Sequence, residues 1–185
     1  MPVRLETTRL VLRDFNPEDS NDLFELYRLP ETSEFESWGP HKNLERSMEL
    51  NEYWIKCQNE TPRTDYTIAI SLNGKFIGLC GLELGFGTES DDRRVGFLGY
   101  RIHPEYWNQG LATEASLRIL QFGFHELELH RISTGCSAQN LASVKVIKKL
   151  GFRLEGTSIK SVPIGERWTD YNLYGMLRHE YQSRR

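Results

Sequence analysis

The sequence predicts one α/β domain, residues 1–185, built on a mixed central sheet flanked by helices. Three observations carry that reading. The first half holds short alternating apolar–polar runs and an Asn73-Gly74 pair, a strong two-residue hairpin signal, so strands there form an antiparallel meander. The second half alternates strand-like with helix-like stretches, the mark of crossover connections. Between them a strand-like run, Phe97 to His103, passes the breaker Pro104 and reaches Gly110 at the mouth of a helical pattern that continues to about His125.

Taken in order, Arg9 to Phe15 alternates as a strand does. Asn16-Pro17 opens a helix, with Glu18 and Asp19 favourable to the dipole in its first turn; Leu23, Phe24, Leu26 and Tyr27 form its apolar side and Pro30 follows its end. Glu31 to Asn43 reads as a loop, and Leu44 to about Gln58 as a second helix. Asp65 to Leu72 and Lys75 to Leu84 are the two arms of the Asn73-Gly74 hairpin. Gly85 to Asp92 reads as a polar surface loop, and Arg94 to His103 as the next strand. After the helix that begins at Gly110 comes a strand from Arg131 to Ser137. Asn140 then caps a short helix with Leu141, Val144, Ile147 and Leu150 on one face, ended by Gly151. Two strands, Arg153 to Val162 and Trp168 to Leu177, turn at Gly165. Trp54, Phe122 and Phe124 sit at helical spacing and belong to the core, while Trp107 anchors the loop before the helix.

The Gly110 junction is a seat for an anion. The first N–H groups of a helix lack internal partners and carry the positive end of the dipole, so phosphate binds there without a lysine. Glycine lets the backbone come close, Ala112 keeps the next turn small, and Thr113 can add a hydroxyl hydrogen bond. An ordinary strand–loop–helix junction would look the same. The better-known phosphate cradles are excluded: no G-x-x-x-x-G-K-[ST] occurs, and Gly85-Phe86-Gly87-Thr88-Glu89-Ser90 has serine where a dinucleotide fingerprint needs its third glycine.

Composition removes other classes. A net charge of −3 speaks against a broad nucleic-acid footprint. No apolar run approaches the roughly 20 residues that span a bilayer, and the first residues hold no apolar signal core. Three scattered cysteines, Cys57, Cys80 and Cys136, suggest neither a disulfide framework nor a zinc site and fit a reducing cytoplasm. The histidines show no H-x-x-x-H spacing, so no metal is expected.

Several stretches in order resemble the GNAT superfamily of acetyl-CoA-dependent N-acetyltransferases, and within it the ribosomal-protein alanine N-acetyltransferase (RimJ/RimL-like) branch. Arg9-Leu10-Val11-Leu12-Arg13 resembles that branch's opening strand, and Pro17-Glu18-Asp19 the start of its first helix. Gly99 to Trp107, leading into Gly110-Leu111-Ala112-Thr113-Glu114-Ala115, resembles its acetyl-CoA strand and loop. Asn140-Leu141-Ala142-Ser143 and Lys149-Leu150-Gly151-Phe152 resemble its last helix.

The resemblance implies a cleft for acetyl-CoA between splayed central strands and direct acetyl transfer from the thioester to an amine. It puts the pyrophosphate on the N–H groups of Gln109, Gly110, Leu111, Ala112 and Thr113. The pantetheine arm lies beside the strand ending at Ile102 and His103, with an N–H near Arg101 or Ile102 polarising the carbonyl and Asn140 beside the arm. Many members carry a tyrosine acid in the last helix; here that position is Ile147, and Ser143 matches a serine proposed as the acid in the Rim-like branch. Ser143 also reads as a helix-start residue. The glutamate that some relatives hold before the Gly-Tyr of the strand is missing, since Phe97 and Leu98 precede Gly99. Glu83 and Asp170 are candidate substitute bases, although each reads more simply as a solvated strand residue, and a water chain is a third route.

The missing base bears on the acceptor. An α-amine has a pKa near 7.7–8.0 and a lysine near 10.4, so using the lysine costs about 3.4 kcal/mol more in deprotonation near neutral pH. This favours a peptide N-terminus, possible acceptors including a ribosomal protein. Glu34, Glu36 and Trp38 cluster in the loop expected to border the acceptor entrance, where acids attract cationic amines and an aromatic face can hold one. The alternatives are a small-amine acetyltransferase acting on a polyamine, aminoglycoside or amino-acid-like metabolite, and a non-catalytic acyl-CoA sensor. No nucleic-acid or membrane partner is expected, and the chain is monomer or homodimer.

Overall fold

The computed structural model describes residues 2–85 and 94–183. Most of the polar loop expected at Gly85 to Asp92 therefore lies outside the described residues. Eight strands form one sheet in the order β1-β2-β3-β4-β5-β6-β8-β7. They are β1 (Arg4–Glu6), β2 (Leu10–Arg13), β3 (Ile68–Leu72), β4 (Lys75–Leu84), β5 (Val95–Ile102), β6 (Arg131–Ser137), β7 (Arg153–Ile164) and β8 (Arg167–Leu177). The helices are α1 (Ser20–Tyr27), α2 (Leu44–Gln58), α3 (Leu111–Gln121), α4 (Leu141–Leu150) and α5 (Arg178–Gln182).

The sheet is mixed because one pair, β5 with β6, is parallel while its other neighbours run antiparallel. Apolar alternation covers both faces. Leu10, Leu12, Ile68, Ile70, Leu82 and Leu98 pack with Leu111, Ala115 and Ile119 of α3 and Ile147 of α4. Ala69, Phe76 and Leu79 face the other way, onto Leu23 and Leu26 of α1 and Trp54 of α2, with Phe15 stacked on Trp54 at 4.8 Å between centroids. Trp54, Phe122 and Phe124 are core residues, as their spacing indicated.

Several boundaries differ from the sequence reading. The strand expected from Asp65 begins at Ile68; Asp65 makes an isolated bridge to Glu83, and its carboxylate accepts from the Thr67 N–H at 2.7 Å. The helix opened by Pro17 starts as a single 3-10 turn, Pro17–Asp19, because the Asp19 carboxylate folds back onto the Asn16 N–H at 2.7 Å. The helix expected to reach His125 ends at Gln121 and widens into a π turn over Phe122–Glu126. Leu141 does not share the buried face of α4; it is 73% exposed at the first turn. β1 and α5, three and five residues long, are too short to show a period.

Candidate functional site

The feature that makes a site is a parting inside the sheet. β5 and β6 pair over three residues, from Val95 opposite Arg131 to Phe97 opposite Ser133. Beyond that the two strands diverge, although β6 stays paired with β8 as far as Ser137 opposite Tyr171. The apex is tied by the buried Thr134 hydroxyl, which donates to the Leu98 carbonyl at 2.9 Å.

Register decides which backbone groups enter the opening. Arg101 lies opposite Leu79 on β4, the His103 N–H donates to the Ile77 carbonyl at 2.8 Å, and the Val95 carbonyl accepts from Gly85 at 2.8 Å. Odd-numbered positions of β5 thus turn their backbone toward β4, and even-numbered positions turn away from it. The Leu98 and Ile102 carbonyls agree, the second accepting from the Trp107 indole at 2.6 Å. The N–H groups of Tyr100 and Ile102 face the parting, and those of Arg101 and His103 do not. Of the two residues expected to polarise the carbonyl, Ile102 is the one whose N–H faces the parting.

The parting opens into a cleft of about 440 Å³. One wall is the N-terminal turn of α3, with Gly110, Leu111, Ala112 and Thr113; another is α4, with Asn140, Ser143, Lys145 and Lys149. Gly110 is the N-cap of α3 at φ 76°, a left-handed conformation that glycine takes without strain, and no side chain caps the helix. The first N–H groups of α3 therefore have neither an intrahelical partner nor a side-chain cap. Trp107 anchors the preceding loop through its indole, and Gln109 donates to the Glu105 carbonyl at 3.2 Å.

Asn140 accepts from the Ser143 N–H at 3.0 Å, a capping contact that sets the first turn of α4. The Tyr100 hydroxyl donates to the Ser143 carbonyl at 3.3 Å and links β5 to α4 across the cleft. Burial pushes the Tyr100 phenol well above its ordinary pKa, so it stays a neutral donor. Burial and then the nearby Glu36 charge likewise raise the Tyr171 phenol to about 12. The Cys136 thiol is raised to about 11, first by burial and then by Glu36, and is no nucleophile at neutral pH.

The loop after α1 forms the far wall, with Glu31, Glu34 and Glu36 lining the cleft. Glu36 is ion-paired with Arg101 at 2.9 Å. The Arg101 guanidinium also donates to the Thr32 carbonyl at 3.1 Å and the Tyr27 hydroxyl at 2.9 Å, and lies 4.6 Å over the Trp38 ring. Arg101 enters the site through its side chain, while its backbone serves β4. Trp38 does not line the cleft; its partners are Arg101, Tyr27 and His41.

Glu83 points to the same sheet face as Arg101 but sits opposite Phe97, outside the cleft lining. Burial, then the Asp65 charge, raises its carboxyl above the ordinary value. Asp170 accepts from the Lys160 N–H at 2.9 Å in the β7–β8 hairpin, also outside the lining. His103 and Gln109 flank the cleft without lining it. Lys145, Lys149, Tyr100 and Tyr171 were not singled out in the sequence; the lysines, four apart on a helix beside the glycine loop, carried a readable signal. Among the described residues no group of three His, Cys, Asp or Glu side chains could hold a metal ion, and no helix is long and apolar enough to cross a membrane.

A mixed sheet parted beside an uncapped helix start is the arrangement that the resemblance to N-acetyltransferases implies. The chain belongs to the GNAT acetyltransferase family, whose domain profile matches residues 9–153. It is 42% identical over 84 residues to an uncharacterized N-acetyltransferase of Bacillus subtilis (strain 168), YnaD, a stretch covering 45% of this chain and about half, 49%, of that relative. The fold matches a ribosomal-protein-S5-alanine acetyltransferase from Vibrio fischeri with a TM-score of 0.82 at 19% identity, over 97% of this chain and 98% of that one. It also matches a spermidine N-acetyltransferase from Vibrio cholerae, solved with CoA and spermine, with a TM-score of 0.80 at 22% identity, over 95% and 99% of the two chains.

Proposed function

We propose that this N-acetyltransferase moves an acetyl group directly from acetyl-CoA to a primary amine, with a protein or peptide N-terminal α-amine as acceptor. The observation that carries the reading is the pair of open backbone surfaces in one cleft: the β5 edge at Tyr100 and Ile102, and the uncapped start of α3. An extended amide-bearing arm satisfies the first and a pyrophosphate the second.

In this reading the pantetheine arm pairs with β5 as a strand would, beside Asn140. The Ile102 N–H donates to the thioester carbonyl, where negative charge develops as the amine attacks. The pyrophosphate takes the N–H groups of Gly110 to Thr113, with Lys145 and Lys149 facing it from α4. When the tetrahedral intermediate collapses, the C–S bond breaks and the sulfur leaves as a thiolate that accepts a hydrogen bond from the Ser143 hydroxyl and takes its proton from water. The acceptor nitrogen loses a proton to a base. Glu83, its carboxyl raised by burial, serves as that base through water, because it does not border the cleft.

The α-amine preference rests on the weak base and on how Arg101 treats the acids. With Glu36 neutralised and Trp38 already covered by a cation, the far wall offers less to a multiply charged amine than its composition suggests. A polyamine acceptor is the second reading, favoured by Glu31 and Glu34, exposed acids in the cleft wall. CoA release across peptides with free or acetylated N-termini, spermidine and aminoglycosides separates the readings. Activity on free N-termini is expected; turnover confined to polyamines or aminoglycosides reverses the acceptor assignment, and no turnover with any amine, despite CoA binding, leaves a sensor.

A further inference from the structure

The loop that seats the anion is held from outside by one residue distant in sequence. Asn108 and Gly110 both adopt positive φ, 60° and 76°, a region that glycine takes without strain but that is uncommon for the asparagine. The loop's own contacts, Trp107 to Ile102 and Gln109 to Glu105, are local. Arg9, just before β2, donates through Nη1 to the Gln109 carbonyl at 3.1 Å. The rest of its guanidinium is held by Glu114 in the first turn of α3, with Nε at 2.6 Å and Nη2 at 2.6 Å from Oε2. The other Glu114 oxygen accepts from the Thr7 hydroxyl at 2.6 Å and the Arg9 N–H at 3.0 Å.

The peptide between Gln109 and Gly110 is planar, so its carbonyl and N–H point in opposite directions. Drawing the Gln109 carbonyl onto Arg9 turns the Gly110 N–H away from Arg9. Glu114 spans the same gap from the helix, so the start of β2, the glycine loop and the first turn of α3 become one rigid unit. A planar, five-donor cation suits this task, whereas the single ammonium of a lysine lacks the rigid fork that meets both partners in this geometry.

We propose that Arg9, clamped by Glu114, is a positioning residue for the donor cofactor: it sets the orientation of the 109–110 peptide so that the loop is preorganised for a pyrophosphate. This rests on the CoA-binding reading above. Arg9 acts through the loop and leaves the pyrophosphate to the backbone. Loss of a preorganised contact appears in affinity, because the bound loop must then be ordered at the ligand's expense.

The test compares wild type with Arg9→Ala, Arg9→Lys and Glu114→Gln. CoA affinity is measured by calorimetry, and KM and kcat are measured with acetyl-CoA and with acetyl-pantetheine, which lacks the pyrophosphate. Arg9→Ala should weaken CoA at least tenfold and raise KM for acetyl-CoA similarly, with a far smaller change in kcat. Acetyl-pantetheine kinetics should move less than twofold. Arg9→Lys should recover less than half of the loss, on a logarithmic scale. Glu114→Gln should also weaken CoA, since the guanidinium loses its clamp. Unchanged CoA affinity in Arg9→Ala overturns the proposal, as does an equal loss with acetyl-pantetheine, which would mean general damage. Tighter CoA binding in Glu114→Gln also overturns it, because a released arginine would then be binding phosphate itself. Wild type that binds no CoA would defeat the underlying reading instead.

Discussion

At the scale of single residues, three positions separate binding, turnover and stability. Gly110 has room for a side chain: the nearest atom to an added Cβ is Arg9 Nη2 at 3.7 Å. The obstacle is conformational, since φ 76° is a poor region for a β-branched residue. Gly110→Val should therefore weaken CoA binding more than tenfold, about 1.4 kcal/mol, by calorimetry. Ser143→Ala should lower turnover several-fold and leave CoA affinity nearly intact; unchanged turnover would reduce the serine to a helix residue. Gly78 is a different case, away from the ligand. An added Cβ would lie 2.1 Å from the Arg101 carbonyl, against backbone that cannot yield. Gly78→Ala should cost about 2 kcal/mol or more of stability, read from the urea midpoint.

At the scale of elements, the loop between α1 and α2 is a wall because Arg101 holds it. The guanidinium, 17% exposed, reaches Tyr27 at the end of α1 and Thr32 and Glu36 beyond it. Arg101→Leu should remove about 2 kcal/mol and make the segment around residues 30–38 the first site of limited proteolysis, while the sheet survives. Here the limits of sequence reading are physical. The cluster of Glu34, Glu36 and Trp38 was visible as acids around an aromatic ring. That an arginine 65 residues away, on the strand assigned to the cofactor, neutralises Glu36 was not, because a long-range ion pair leaves no local period. Caps and turns fared better: Asn140, Gly151 and Asn73-Gly74 act through their immediate neighbours, and α2 begins and ends where its sequence indicated. Strand ends were harder to place, as at Asp65, where a carboxylate captures a backbone N–H that a longer strand would have used.

For the whole molecule, the arrangement was foreseeable as a meander followed by crossovers, but not the place of β8 between β6 and β7. The parting was not foreseeable from β5 and β6 themselves, since each reads as an ordinary strand; it entered the sequence reading through resemblance alone. The acid response is also a property of the whole. Burial would raise the Glu114 carboxyl, but hydrogen bonds from Thr7 and Arg9 outweigh it and leave its pKa below the ordinary value. Glu155, bonded chiefly by Arg131, is lowered as well. A folded pKa below the unfolded value, about 4.3, contributes stability at higher pH that disappears as pH falls through the folded value. Asp22 and Glu83, raised first by burial, act with the opposite sign and protonate earlier. Urea midpoints measured from pH 6 down to pH 2 should fall below about pH 4.3, and Glu114→Gln should flatten that fall.

The parted strands also leave this sheet with an internal edge, a rim of unpaired amides shielded from neighbouring molecules by α4 and the α1–α2 loop yet open to water. Such amides exchange their hydrogens readily, whereas those committed to β4 do not. Along one strand the protection pattern should therefore alternate: slow at Gly99 and Arg101, fast at Tyr100 and Ile102. Saturating CoA should slow the fast pair and barely touch the slow one. At a hundredfold excess over Kd it should also add about 2.7 kcal/mol to global stability. That outcome would make the ligand a missing strand of the sheet, supplied only while the substrate is bound.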